Sequence, residues 1–193
     1  MTTDSPRWLR VHAVMPRTRA NGPGVRFGIW VQGCARCCPG CFNPETHDPA
    51  GGYPVDVGGL ARQVIDASTA TDDGAGAIEG VSVSGGEPLE QPEALMNFLA
   101  DLRRETSLSV VLFSGYSREE IERLPHGPAI LAMTDILVAG PYEEMRHFAH
   151  DLRGSENQAV HFLTDRYTPC DLEDLPDAEI VIAPDGTVTR SGF

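Results

Sequence analysis

Val25-Arg-Phe-Gly-Ile-Trp-Val-Gln-Gly33 runs straight into Cys34-Ala-Arg-Cys-Cys-Pro-Gly-Cys41, and this junction decides how the rest of the chain is read. The first segment is apolar, β-branched and aromatic, and ends in glycine, the pattern of a strand. The second gathers four of the five cysteines, Cys34, Cys37, Cys38 and Cys41, while Cys170 stands apart. Working outward, the hydrophobic period alternates. Gly59–Ser68 carries Leu60, Val64 and Ile65 at helical spacing. Gly80–Ser84 is a short buried-type strand that stops at Gly85-Gly86. Pro92–Glu105 sets Leu95, Met96, Leu99 and Leu102 at helical offsets behind an N-terminal proline. Leu108–Phe113, Asp135–Ala139 and Ala159–Leu163 read as further strands. Ser117–Leu124 reads as a short helix with a Ser117/Glu120 capping box.

Strand, helix, strand, helix, strand, helix, strand is the order of an α/β fold with parallel strands and right-handed crossovers. The strand count falls short of eight. The expected architecture is a partial, incomplete TIM-like β/α barrel of about five or six mostly parallel strands. A C-terminal hairpin is expected from Glu179–Ala183, Asp185-Gly186 and Thr187–Arg190. Asn43–Val57, rich in Pro, Gly and Asp, reads as a long connection, Thr69–Gly76 as a polar loop, and Tyr142–Ser155 is polar and mixed. One domain over residues 1–193 is expected, with a loose terminus over 1–8.

Composition narrows the classes of function. The 193 residues are 41% apolar, enough for a sizeable core, and the net charge is −13. An acidic chain repels phosphate backbones and anionic lipid, so nucleic acid and membrane surfaces are poor partners. All 15 basic residues are arginine, which excludes a Schiff-base lysine and a P-loop lysine. No apolar run approaches a membrane span, and the start of the chain lacks the pattern of a signal peptide, so a cytoplasmic location is expected. In that setting clustered cysteines point to metal before disulfides.

Three kinds of site can use such a loop. Structural zinc wants four thiolate or imidazole ligands, usually as two pairs, and a second pair is missing. A redox dithiol wants C-x-x-C, which Cys34/Cys37 and Cys38/Cys41 both satisfy. The third is C-x-x-x-C-x-x-C on Cys34, Cys38 and Cys41 with Cys37 as a bystander. Three thiolates on a four-iron cluster leave one iron open for a ligand, as a catalytic metal site requires.

The Cys34, Cys38, Cys41 spacing after a first strand resembles the radical S-adenosylmethionine superfamily, and Gly85-Gly86-Glu87-Pro88 after the second strand resembles its GGEP segment. Further stretches are similar to one branch, the activating enzymes of anaerobic ribonucleotide reductase. They are Asn21-Gly-Pro-Gly-Val-Arg-Phe27, Trp30-Val-Gln-Gly-Cys34, Gly40-Cys-Phe-Asn-Pro-Glu-Thr-His47, Phe113-Ser-Gly-Tyr116, Asp135-Ile-Leu-Val-Ala-Gly-Pro-Tyr142, Arg153-Gly-Ser-Glu-Asn-Gln158 and Asp185–Phe193. They occur in family order from about Leu9 to the last residue. Ala139 departs from the family, which carries an acid there, and Cys37 is an addition.

The resemblance implies a 4Fe-4S cluster on Cys34, Cys38 and Cys41, with S-adenosyl-L-methionine as cosubstrate. Ser84, Gly85, Gly86 and Glu87 would bind its methionine end. Ser114, Tyr116 and Asn157 would contact ribose or adenine, and Gly33 and Gly40 would let the loop backbone pack closely. It further implies a glycyl-radical enzyme as protein partner and an external one-electron donor such as flavodoxin or ferredoxin. Two other functions remain open on the residues. One is a stand-alone radical tailoring enzyme acting on a small metabolite or peptide. The other is a non-catalytic zinc or Fe-S binding module.

Overall fold

The computed structural model describes residues 7–70, 76–182 and 185–192. Eleven strands and four α-helices are formed among them. In chain order they are β1 (Trp8–Thr18), β2 (Val25–Val31), β3 (Tyr53–Asp56), α1 (Val57–Thr69), β4 (Ile78–Gly85), α2 (Pro92–Glu105), β5 (Ser109–Ser114), α3 (Arg118–Ile121), α4 (Gly127–Ala132), β6 (Ile136–Ala139), β7 (His147–His150), β8 (Arg153–Ser155), β9 (Ala159–Phe162), β10 (Ala178–Ile182) and β11 (Val188–Gly192).

The main sheet has seven strands in the order β3-β1-β2-β4-β5-β6-β9. Its centre, β2 through β4 and β5 to β6, is parallel, as the alternation of period predicts. Its margins are not. β1 pairs antiparallel with β2 and β3, and β9 pairs antiparallel with β6. The expected five or six mostly parallel strands thus become a mixed, open sheet of seven. The reason lies in the connections. A parallel pair needs a crossover long enough to hold a helix, which α1, α2 and the short pair α3 and α4 supply in turn. Between β6 and β9 the chain forms no α-helix, just a short 3-10 turn at Glu144–Arg146 and the β7–β8 hairpin, and it returns alongside β6 in the opposite sense.

Three segments expected without strands contain them, and Tyr142–Ser155, which holds β7 and β8, is one. Trp8, placed in a loose terminus, opens β1; residues 1–6 lie outside the described residues. Tyr53–Asp56, placed in a connection, is β3 on the sheet margin. Most of the expected loop Thr69–Gly76 lies outside the described residues, since Thr69 ends α1 and residues 71–75 are not described. The C-terminal hairpin is present as β10–β11. Ala183 and Phe193, assigned to it and to the tail, lie outside the described residues.

Period-two alternation sorts the central strands onto two faces. Val110 and Leu112 of β5, with Leu137 and Ala139 of β6, join a large core that includes Leu95, Phe98, Leu99 and Leu102 of α2. Val111, Ile136 and Val138 face a smaller cluster with Leu152 and Leu172. Arg26 on β2 is fully buried there. Its guanidinium donates to Ser82 Oγ, Ser109 Oγ and the carbonyls of Pro23, Val81 and Ser109. Burial lowers its pKa to about 10, so it stays charged, and five acceptors satisfy the charge. This arginine ties β2, β4 and β5 together away from the carboxyl ends of the strands.

Candidate functional site

Each of the four parallel strands hands the chain to a loop at its carboxyl end, and the four loops meet in one cleft. It is lined by Cys34, Cys38 and Cys41 after β2, Ser84 to Glu87 after β4, Ser114 and Gly115 after β5, and Gly140 after β6. Counting the space at its mouth, the cleft measures about 710 Å³. This is where open parallel sheets place their ligands.

The cysteine loop is fixed at its base. Gly33 N–H donates to Thr46 O at 2.8 Å and Cys34 N–H to His47 O at 3.1 Å, so the loop leaves and returns at one point. Gln32, buried at the strand end, donates from Nε2 to the carbonyls of Glu45 and Asp48. On the other side Glu90 Oε1 accepts from Ala35 N–H at 2.7 Å. Within the loop Cys41 Sγ accepts from Asn43 N–H. Burial pushes the Cys34 and Cys41 thiols up, with backbone N–H groups of Arg36, Cys37 and Asn43 opposing it. Metal binding reverses that preference, because a bound cation deprotonates a thiol outright.

Cys37 takes the bystander position. It is exposed, has a left-handed backbone (φ 44°), and does not line the cleft. Cys170 is exposed in a turn over Pro169–Leu172, away from the cleft. Among the described residues no three His, Cys, Asp or Glu side chains converge as a single metal ion would require. A four-iron cluster puts each thiolate on a different iron. Three thiols that border one cleft without converging on a single point fit that group better than they fit zinc, although His47 also lines the cleft.

Gly85, Gly86 and Glu87 pack directly against the base of the cysteine loop. Gly86 N–H donates to Val31 O and Glu87 N–H to Gly33 O, both at 2.8 Å. A Cβ on Gly86 would stand 2.2 Å from Gly33 O, so only glycine permits this approach. The Glu87 side chain points inward and is 1% exposed. It accepts from Ser114 Oγ at 2.9 Å, Gly115 N–H at 2.8 Å and Leu89 N–H at 3.0 Å. Burial pushes its carboxyl up to about 7, against the pull of these donors and of the nearby Arg36. Glu87 therefore fastens the β5 loop to the β4 loop.

The candidate residues from the sequence separate into two groups. Cys34, Cys38, Cys41, Ser84, Gly85, Gly86, Glu87 and Ser114 all line the cleft. Tyr116 and Asn157 do not. Tyr116 lies under the guanidinium of Arg36, 4.8 Å from its ring centroid, and Asn157 Nδ2 donates to Pro141 O. Gly33 and Gly40 adopt left-handed backbone (φ 99° and 67°) at the two ends of the loop without lining the cleft. Several lining residues escaped sequence reasoning: Arg36, Phe42, Phe113, Tyr142 and Gln158. Gln158, one residue past the expected Asn157, donates to Gly140 O and accepts from Gly154 and Ser155 N–H. Phe42 and Tyr142 pack against each other with their rings tilted by 55°, 4.8 Å between centroids.

Comparison with known proteins bears on the same residues. A family described as a 4Fe-4S single cluster domain matches residues 20–161, the span that holds the whole cleft. The chain is 30% identical to the anaerobic ribonucleoside-triphosphate reductase-activating protein of Salmonella typhimurium over 161 residues, 80% of this chain and 99% of that protein. It is 28% identical to the protein of the same name from Escherichia coli K12 over 159 residues, with the same coverage of each. It is 30% identical to the pyruvate formate-lyase-activating enzyme of Clostridium pasteurianum over 129 residues, 67% of this chain and 50% of that protein.

Proposed function

Because the chain belongs to the family of 4Fe-4S single cluster domains and is homologous to activating proteins of anaerobic ribonucleoside-triphosphate reductases, we propose that it is a radical S-adenosylmethionine activase acting on a glycyl-radical enzyme. The observation that carries this is the meeting of the Cys34, Cys38 and Cys41 thiols with the Gly85-Gly86-Glu87 segment in one cleft at the carboxyl ends of parallel strands. Cys34, Cys38 and Cys41 would hold the cluster, which would supply the electron for reductive cleavage of S-adenosylmethionine to methionine and a 5′-deoxyadenosyl radical, and that radical would take a hydrogen atom from a glycine Cα of the partner.

The chain's own part is binding, orientation and exclusion of solvent. Cys34, Cys38 and Cys41 are the ligands, supported by their spacing and by the hydrogen bonds that close the loop. Ser84, Gly85 and Gly86 take the methionine end, where absent side chains let a ligand reach the backbone. Glu87 acts mainly by holding Ser114 and Gly115 at the wall. Ser114 is the stronger candidate for a nucleoside contact. Tyr116 acts through its contact with Arg36 and Asn157 through its hydrogen bond to Pro141 O. Phe42 and Tyr142 narrow the mouth against water. The run β2-β4-β5-β6, with α1, α2 and the pair α3 and α4 as crossovers, supports reading the open sheet as a β/α barrel cut short. The electron comes from a flavodoxin- or ferredoxin-type donor, and the chain works in the cytoplasm.

The test is anaerobic incubation of the reconstituted, reduced protein with S-adenosylmethionine and a purified anaerobic ribonucleoside-triphosphate reductase. The expected result is a glycyl-radical EPR signal on the reductase that needs all three components. Formation of 5′-deoxyadenosine with no such signal would move the substrate to a small metabolite or peptide.

A further inference from the structure

Arg36, between the first two cluster cysteines, has a buried Nε with no hydrogen-bond partner. The side chain borders the cleft, and its guanidinium lies 4.8 Å from the centroid of the Tyr116 ring. It reaches this position past Gly115, where a Cβ would stand 2.4 Å from Arg36 Cδ and 2.6 Å from Nε. Glu87 is close by, but its oxygens accept from Ser114, Gly115 and Leu89, and no hydrogen bond joins it to Arg36. A cation has thus been brought to the cleft and set over an aromatic ring, with its Nε left without a hydrogen-bond acceptor.

A buried donor without an acceptor costs about 1–3 kcal/mol, and more when charged. Such a group is expected to meet its acceptor in a ligand. A guanidinium fork matches a carboxylate in two parallel bonds, and stacking on tyrosine preorganises it. Gly115 is also the meeting point of two walls: a Cβ there would lie 3.4 Å from Glu87 Oε2 while overlapping Arg36. The segment assigned to the cosubstrate's methionine end and the Arg36 side chain therefore meet at a single residue. An amino acid carries its ammonium and carboxylate on one carbon, a separation that such an arrangement spans.

We propose that Arg36 receives the α-carboxylate of S-adenosylmethionine, with Tyr116 and Gly115 as the residues that hold it in place. This rests on the radical S-adenosylmethionine reading above and adds to it a residue in the cysteine loop. The loop then has two tasks, holding the cluster by its cysteines and orienting the cosubstrate by its arginine.

The test uses the reconstituted protein with its cluster oxidised, under anaerobic conditions. Equilibrium dialysis measures the Kd of S-adenosylmethionine and of its decarboxylated analogue for the wild type, Arg36→Met, Arg36→Lys and Gly115→Ala. Iron and sulfide content are determined on the same samples. Loss of a charge-assisted pair predicts that Arg36→Met weakens S-adenosylmethionine binding by about 10- to 100-fold and leaves the analogue nearly unchanged. Arg36→Lys recovers part of the loss. Gly115→Ala, which displaces the arginine stem, reproduces the ligand-selective loss and serves if Arg36→Met does not fold. Equal weakening of both ligands, or of neither, overturns the proposal and leaves Arg36 a packing residue. A wild type with a full cluster that binds no S-adenosylmethionine overturns the functional reading itself, a result visible before any variant is compared.

Discussion

Glu87 and Gly86 show how tightly single residues constrain the cleft. Raising the Glu87 carboxyl from 4.5 to about 7 corresponds to about 3 kcal/mol between its two protonation states. The folded value is the higher one, so the group's contribution to stability is full below pH 4.5 and is lost as pH rises through about 7. Glu87→Gln removes that titration but turns an amide N–H toward Gly115 N–H. The variant is therefore expected to be less stable than the wild type near pH 5, with a gap that narrows as pH approaches 8. Denaturant midpoints across that range check it. A gap independent of pH would remove Glu87 from the account of pH dependence. Gly86→Ala forces a Cβ onto Gly33 O and parts the two loops. It should retain iron while losing at least about tenfold in S-adenosylmethionine affinity. At this scale the cysteines and the paired glycines are legible from spacing, because the chemistry imposes the spacing. Arg36 and Gln158 are not, because an arginine or glutamine carries no periodic signal and its partner comes from a distant loop.

Elements were legible where their period is strong. α2 follows its expected bounds, and Ser117 caps α3 through the reciprocal box with Glu120. Phe98 on α2 is fully buried in the main core, and Phe98→Ala should cost about 3–5 kcal/mol with the cleft chemistry intact at low temperature, measured by denaturant unfolding. Strand direction was less legible. β1 alternates buried Leu9 and Val11 with part-exposed Arg10 and His12, yet its pairing with β3 depends on Tyr53–Asp56, which is short and lies next to a glycine-rich turn. The reversal of β9 is set by the β7–β8 hairpin, whose polar residues give no strand signal. An antiparallel return and a parallel crossover look alike in a strand's own residues, since only the connection distinguishes them.

In the whole molecule, the parallel strands place four loops around one cleft, and Arg26 locks three of those strands at the far end. No described helix is long and apolar enough to cross a membrane. The reductase-activating relatives from Salmonella typhimurium and Escherichia coli match along 99% of their length, so under the proposed function one small chain both holds the cluster and meets the partner. That economy makes the central claim testable with the isolated protein. The measurement is 5′-deoxyadenosine formed from S-adenosylmethionine and dithionite by the anaerobically reconstituted chain, beside a Cys38→Ala control. The account predicts product from the wild type and none from the control. A wild type that holds a full cluster and S-adenosylmethionine yet yields no 5′-deoxyadenosine, or a control that matches it, would contradict the account.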